Sequence, residues 1–511
     1  MNTTSLRHLI IALVVLFASH PQWCGAQLFV QWQVGLGGTA YDECATLLVT
    51  DDGGCVVGGG STSGATGNKT TPAYGIGADF WLVKLAADGT KQWDRSYGGP
   101  DADFAFGVRP SGDGGFVLGG YSRSAMGGNK TNGTLGGRDY WLVKSDGNGN
   151  KQMDQVFGGT NNETAWGLAS VADGYLLAGT SYSDVSGNKT SAQIGEDDWW
   201  VVKVGTNGVK QWEAAYGGVD NEYLYWAEPT ADGGFLLVGE SESGITGNKT
   251  NANIGLYDGW VVKVDANGTK QWERVLGGTN QDYLSFAQPT ADGGYLLCGA
   301  SLSGASGNKT SPNYGNNDWW LVKVSSNGVP EWDRSYGGSD DDFLKAVRPY
   351  EGGYLLFGTS RSGADGNKSV ANIGQSDYWL LKVDALGDIE WQQTFGGTNR
   401  DFAVEAFAAT PDGGFLLGGY SESGISGNKT VASMGNYDYW ILKLVAAPIL
   451  AIQPAVAGQM NVSWQPDIPE FILQETPSLS PAMWTNSPSG ATNPIVVPAT
   501  VPTKFYRLFK P

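Results

Sequence analysis

The chain has 511 residues, including 77 Gly and 20 Trp, and its 32 basic against 51 acidic side chains give a formal net charge of −19. A surface this acidic excludes nucleic acid and anionic membranes as partners, because phosphate binding needs clustered Lys and Arg. Glycine at about twice its usual share, together with short apolar segments, argues for an all-β fold.

Residues 1–26 read as a signal peptide. Arg7 supplies the positive start, Leu9 to Ala18 the apolar stretch, and Cys24-Gly25-Ala26 a small-residue cleavage site before Gln27. The apolar stretch is too short to span a bilayer, and no later run is long enough, so no membrane span is expected. The chain is therefore expected to be secreted or held at the cell surface. Both histidines, His8 and His20, leave with the signal. Their loss excludes Ser-His catalysis and His-ligated zinc or copper in the mature chain. Mature charge becomes −20, which leaves calcium open through carboxylates alone; no other cofactor is expected. Cys44, Cys55 and Cys298 stand where other repeats carry small or apolar residues, and read as buried hydrophobes rather than a disulfide framework.

From residue 28 onward the chain is periodic. A W-x-x-x-x-G-G element recurs at Trp32, Trp93, Trp212, Trp272, Trp332 and Trp391, with Met153 in the third place, at spacings of 59 to 61. Gly-Gly is followed by an acid, an apolar segment, an Asp-Gly-Gly-like turn, an apolar run ending in Gly-x-Ser, a Gly-Asn-Lys stretch, and Asp-x-Trp-x-x-Lys. This predicts four strands per copy, illustrated by residues 104–110, 116–122, 140–144 and 151–157, with Gly and Asn serving the tight turns. Segments apolar on both faces require cover from neighbouring sheets, which radially stacked four-stranded sheets provide.

The phase of the repeat decides how the array ends. The seventh copy stops at Lys443 without an outer strand, and the mature N-terminus begins with one, Leu28 to Trp32. An open solenoid would need caps at both ends. The expected fold is therefore all-β: a seven-bladed β-propeller over 27–447, closed by the N-terminal strand. Residues 448–511 lose the repeat, gain proline and alternate at 450–453, 460–464, 471–474 and 505–508. They predict a small sandwich-like C-terminal β-domain for sorting or attachment.

Residues repeated in all copies are expected to build the blade. The Trp column (Trp81, Trp141, Trp200, Trp260, Trp320, Trp379, Trp440) reads as inter-blade packing, and the Asp two residues earlier as a turn ligand. The Lys column from Lys84 to Lys443 lies among apolar residues and requires an acidic partner or a route to water. The acids after Gly-Gly and the Gly-Asn-Lys lysines share one face of a propeller. They read either as charges satisfying one another or as a ring of ligand-binding loops.

Function is expected where the copies disagree. Along the first strand of each copy, which lines the channel, one column reads Ala45, Phe106, Trp166, Tyr225, Ser285, Lys345 and Val404. The next reads Thr46, Gly107, Gly167, Trp226, Phe286, Ala346 and Glu405, and two positions on come Arg109, Glu228, Gln288 and Arg348. Aromatic, charged and amide groups together suit sugar stacking and hydrogen bonding. The plainer reading is that they plug the channel. Candidate ligand-binding residues are Phe106, Trp166, Tyr225, Trp226, Phe286, Lys345, Glu405, Arg109, Arg348 and Glu228. No catalytic or metal-ligating residue is assigned.

Ser423-Gly-Ile-Ser-Gly-Asn-Lys-Thr430 and Asp438-Tyr-Trp-Ile-Leu-Lys443 resemble a repeat of secreted bacterial β-propeller-type proteins of largely unassigned function. The tail, through Val462-Ser-Trp464, Phe471-Ile-Leu-Gln474 and Phe505-Tyr-Arg-Leu508, is similar to C-terminal β-modules of exported proteins from Verrucomicrobia-type bacteria. These resemblances imply export and a propeller-like fold and carry over no catalytic residue. The leading expectation is a non-catalytic binding scaffold for an extracellular glycan or protein, monomeric. The alternatives are a carboxylate-dependent glycoside hydrolase or lyase, with Glu228 and Glu405 as its channel acids, and a purely structural envelope protein.

Overall fold

The computed structural model describes residues 28–456, 459–466, 471–479, 481–488, 490–498 and 504–509. The expected signal peptide lies outside the described residues. Every regular element among the described residues is a β-strand, and the chain divides into two compact units.

The described residues form seven four-stranded antiparallel sheets, six of them wholly within the larger unit, 33–442. Six are consecutive in sequence, at 42–97, 103–157, 163–216, 222–276, 282–336 and 342–395. The seventh orders its strands as Asp401–Ala409, Phe415–Ser421, Asp438–Ala446 and Leu28–Leu36, so the N-terminal strand completes the last blade, as the repeat phase predicts. The first strands of successive blades contact one another all the way round, the seventh against the first. The fold is a closed seven-bladed propeller.

An aromatic girdle explains why the blades stack. The Trp of each Asp-x-Trp element is buried to 1% exposure or less, and six of the seven meet the ring one residue before the Trp of the preceding blade. The pairs are Phe80–Trp141, Tyr140–Trp200, Trp199–Trp260, Trp319–Trp379, Tyr378–Trp440 and Tyr439–Trp81, with centroids 4.3–4.8 Å apart. Tilted pairs of this kind add about 0.5–1.5 kcal/mol each beyond their burial. At the fourth-to-fifth junction Gly259 has no ring to offer. Leu284 fills its place so closely that a Cβ on Gly259 would lie 2.7 Å from Leu284 Cδ1.

The Gly-Asn-Lys loop is a second clamp. In all seven blades its Asn accepts the N–H of the first Gly of the preceding Gly-Gly, from Asn68 on Gly37 to Asn428 on Gly396, at 2.9–3.0 Å. The loop glycine before that Asn holds φ near +60°, as at Gly67 and Gly427, a conformation glycine adopts without steric cost.

The smaller unit, described at 28–32 and from 443 to 509, holds two three-stranded sheets. One joins Ile449–Pro454, Gln459–Gln465 and Ile495–Pro498; the other joins Thr485–Asn486, Ile472–Thr476 and Phe505–Phe509. Leu450, Val462, Trp464 and Val497 from the first meet Leu473 and Tyr506 from the second in one core, which makes the unit a small sandwich. The strands Ile495–Pro498 and Thr485–Asn486 are additions to the four predicted segments.

Candidate functional site

The columns repeated in every blade are occupied with holding the blade together. Each acid after Gly-Gly is at most 0% exposed and accepts the N–H of the second Gly, from Asp42 on Gly38 to Asp401 on Gly397, at 2.7–2.9 Å. Each Asp of Asp-x-Trp accepts a loop N–H, from Tyr74 on Asp79 to Met434 on Asp438, at 2.5–2.7 Å. The loop lysines are also buried; Lys249, for example, donates to the Ser243 and Asn251 carbonyls and to Asn253 Oδ1. Acids and lysines thus form no open ring of ligand-binding loops. Most are held by groups of their own blade, as Lys69 is by Ser96 and Lys309 by Ser335, while Lys130 Nζ and one oxygen each of Asp42, Asp103, Asp342 and Asp401 are buried without a hydrogen-bond partner among the described residues.

The strand lysines find the acidic partners that burial demands. Lys84, Lys144, Lys203, Lys263 and Lys323 pair with turn acids Asp52, Asp113, Asp173, Asp232 and Asp292 at 2.7–2.8 Å. Where the sixth blade shortens its turn to Glu351-Gly352-Gly353, Lys382 turns instead to Glu390 at 3.1 Å. Cys44, Cys55 and Cys298 are buried and join no disulfide among the described residues.

The variable first-strand column has a physical basis in the backbone. In blades one to six the ladder skips one residue, at Ala45, Phe106, Trp166, Tyr225, Ser285 and Lys345. A bulged residue is unpaired and its side chain is re-aimed, so in these six blades one re-aimed side chain per blade comes from the first strand. In the seventh blade the ladder runs from Ala403↔Gly419 to Phe407↔Leu417. Two residues, Val404 and Glu405, are therefore bulged, and Ala406 lies against Gly418. This corrects the sequence alignment: Glu405 belongs with the bulge residues, and Ala406 takes the place of Trp226 and Phe286.

The candidate residues separate into two levels. At the bulge level Phe106 and Trp166 pack at 4.3 Å, and Trp166 meets Tyr225 edge-on at 6.4 Å. All three are half-buried. Lys345 faces Glu405 at 3.8 Å. Lower in the channel Trp226 packs on Phe286 at 4.5 Å, Arg109 lies over Trp226 at 5.3 Å, and Arg348 lies over Phe286 at 5.0 Å. Glu228 accepts the Trp226 indole N–H at 3.0 Å, and Arg348 donates to Gln288 Oε1 at 3.1 Å. Burial lowers both guanidiniums, Arg348 to about 10, and Glu228 opposes that shift; burial in turn raises Glu228. Arg109 of the second blade thus lies over Trp226 of the fourth, and Arg348 of the sixth lies over Phe286 of the fifth and Phe407 of the seventh.

Glu228 accepts from Trp226 whereas Glu405 pairs with Lys345, and among the described residues the two acids share no ion pair or hydrogen-bond partner. The upper mouth holds residues that the first-strand reading missed. Tyr225 donates its hydroxyl to Glu240 at 2.7 Å, and burial, followed by the nearby Glu242 charge, pushes the Glu240 carboxyl up to about 7 against that bond. Beside them Tyr223 donates to Asp197 at 3.1 Å, and Arg138 lies over Tyr121 at 4.9 Å. The signal for these lay in the second strand, whose penultimate residue varies as Gly60, Tyr121, Thr180, Glu240, Ala300, Thr359 and Tyr420. Among the described residues no three His, Cys, Asp or Glu side chains group as a metal site, and no helix is long and apolar enough to cross a membrane.

No protein-family model matches the chain, and no curated protein matches its sequence. Among solved structures, a protein of unknown function from Dyadobacter fermentans is similar over 82% of this chain and 99% of its own, at 12% identity and a TM-score of 0.41. The Pan2 WD40 domain of Neurospora crassa is similar over 83% and 97%, at 10% identity and a TM-score of 0.40. The phage phi92 endosialidase is similar over 85% and 74%, at 12% identity and a TM-score of 0.36. Likeness at this level carries no functional assignment.

Proposed function

We propose that the chain is an exported, non-catalytic propeller that binds an extracellular glycan at the upper mouth of its channel. One observation carries the reading. Half-buried aromatic and hydrogen-bonding groups, Phe106, Trp166, Tyr225, Tyr121 and Glu240, gather on blades two to four at positions where the copies differ. Positions repeated seven times serve the blades, so a ligand recognised once belongs where the repeat is broken. Aromatic faces with polar rims are what a sugar ring needs. Export rests on residues 1–26 and places the mature start at Gln27.

The test is a glycan array followed by calorimetry with residues 27–511. Trp166→Ala and Tyr225→Ala are expected to weaken the best ligand by about tenfold each, the equivalent of about 1.4 kcal/mol. A blank array overturns the reading, and a protein captured at the same mouth replaces it. A carboxylate-dependent hydrolase or lyase is the second reading, favoured by the raised carboxyl of Glu240 beside Tyr225. Polysaccharide turnover that Glu240→Gln abolishes would put that reading first.

A further inference from the structure

The outer strand of each blade carries an internal comparison. In blades one to four its first residue is Lys and its fourth is an acid: Lys91 with Asp94, Lys151 with Asp154, Lys210 with Glu213, Lys270 with Glu273. A skipped ladder residue between them, Gln92 in the first blade, turns both side chains to one face. Each lysine ammonium also donates to the carbonyl of the Gly-Asn-Lys asparagine: Asn68, Asn129, Asn188 and Asn248 in turn. Four copies thus build the same ammonium seat from a carboxylate and a carbonyl.

The remaining blades lose the lysine in two ways. In the sixth, Ile389 replaces it and the acid becomes Gln392, whose amide donates to the Asn367 carbonyl. In the seventh, Val30 replaces it and the acid becomes Gln33, which donates to the Asn428 carbonyl. Cation and anion disappear together, and the carbonyl keeps a donor. The fifth blade breaks this rule: Pro330 replaces the lysine, yet Asp333 stays an acid.

What the missing lysine leaves behind is a cavity of about 120 Å³, lined by Asn308, Thr310, Trp320, Glu331, Trp332 and Asp333 together with Pro330. Asp333 is 5% exposed. Burial alone would raise its carboxyl. Hydrogen bonds from Ser311, Thr310 and the Trp320 indole N–H outweigh that and hold it below the usual carboxylate range. Asp333 makes no ion pair among the described residues, and the nearby Lys309 spends its ammonium on Ser311 and Ser335. Asp333 thus keeps only the through-space pull of Lys309 and lacks the paired ammonium of blades one to four, so a second cation seated there would be favoured. Asn308, Thr310, Pro330 and Glu331 are exposed, so the seat opens to solvent.

We propose that this blade-five cavity is a binding site for a primary alkylammonium group, seated between the Asp333 carboxylate and the Asn308 carbonyl and flanked by Trp320 and Trp332. The four occupied copies set the chemistry: one ammonium on an unbranched four-carbon stem. A lysine side chain presented by another chain and a free aliphatic amine share it.

The experiment titrates the mature protein with n-butylammonium, with Nα-acetyl-lysine methylamide and with n-butanol, followed by tryptophan fluorescence and ligand-observed NMR. Saturable binding of n-butylammonium is expected, on the order of millimolar for so small a ligand. Binding of the lysine derivative as well identifies a side chain from another chain as a fitting occupant; binding of the free amine alone restricts the seat to small amines. Pro330→Lys supplies the ammonium from within, as in blades one to four, and is expected to cut binding by at least about tenfold and to raise Tm. Pro330→Ala leaves the seat open and is expected to bind as the parent does. Absence of saturable binding, equal binding of n-butanol, or undiminished binding by Pro330→Lys overturns the proposal.

Discussion

The ring of Tyr439, in the seventh blade, lies 4.8 Å from that of Trp81 in the first, and its hydroxyl donates to the Trp81 carbonyl at 3.2 Å. The same relationship joins Tyr140 to Trp200 and Tyr378 to Trp440 between blades adjacent in sequence. The ring is therefore closed by the contact that stacks its other blades. Tyr439→Phe removes only the hydrogen bond and is expected to cost about 1 kcal/mol. Tyr439→Ala also opens a large hole at the closing junction and is expected to cost about 3–5 kcal/mol, read from urea unfolding. A loss below about 1 kcal/mol for the alanine variant would show that the junction contributes little to closure.

The repeated Asp of Asp-x-Trp makes the fold sensitive to pH. Burial raises Asp79, Asp139 and Asp318 to about 7 and Asp198, Asp258 and Asp377 to about 6, against the loop N–H bonds that each accepts. In each, the second carboxylate oxygen is buried without a partner. An unfolded Asp titrates near 4. Between about pH 4 and 7 the folded chain therefore binds more protons than the unfolded chain, and stability falls as pH rises through that window. Tm measured by calorimetry is expected to be higher at pH 5.5 than at pH 8. Below about pH 4 the trend reverses, because Asp94 and Asp154, held low by Lys91 and Lys151 and by Thr hydroxyls, must then take up protons. A Tm unchanged or rising from pH 5.5 to 8 contradicts this.

The fold was legible because periodicity is a global signal. Seven copies of Gly-Gly, Gly-Asn-Lys and Asp-x-Trp fix the blade, and the orphan strand at Leu28 fixes the closure. What each motif does was less legible, since it depends on partners about thirty or sixty residues away. Asn68 reaches back to Gly37, and Trp141 meets Phe80. The site was legible in part. Equal spacing located the column from Ala45 to Lys345, but only backbone pairing shows that these residues are bulged. The extra residue in the seventh blade passed unseen because the alignment was anchored on Asp401, ahead of it. Glu240 was not legible because it lies on the second strand, and only pairing across the sheet brings it to Tyr225, as it brings Tyr121 to Phe106. Lys91 and Asp94, three apart in a strand, would face opposite ways in a regular ladder. The skipped Gln92 reverses that, and with it hid the ammonium seat.

Tyr225 and Glu240 are coupled in a way that titration reads directly. The Tyr225 hydroxyl holds the Glu240 carboxyl down, while burial and Glu242 hold it up. Tyr225→Phe is expected to move the Glu240 titration above about 7, and Glu242→Gln to move it below. Carbon-detected NMR of side-chain carboxyls follows both. Opposite or absent shifts would mean that the tyrosine hydroxyl points elsewhere in solution. The result also bears on binding, since a ligand that needs the ionised carboxylate then weakens as pH falls below 7.

Glu405 offers a test of the doubled bulge. The ladder holds Ala403 opposite Gly419 and Phe407 opposite Leu417, so the strand has one residue more than its six counterparts need. Deleting Glu405 leaves Val404 as a single bulged residue and keeps both pairings. The deletion removes only a loose ion pair, Lys345 and Glu405 at 3.8 Å with side chains 29% and 30% exposed. Pairs of that kind contribute about 0–1 kcal/mol. The shortened chain is therefore expected to fold and to unfold within about 1 kcal/mol of the parent in urea, and Glu405→Ala is expected to behave alike. If the deletion instead cost more than about 3 kcal/mol while the alanine variant stayed neutral, the second bulged residue would be needed to seat the seventh blade against the first.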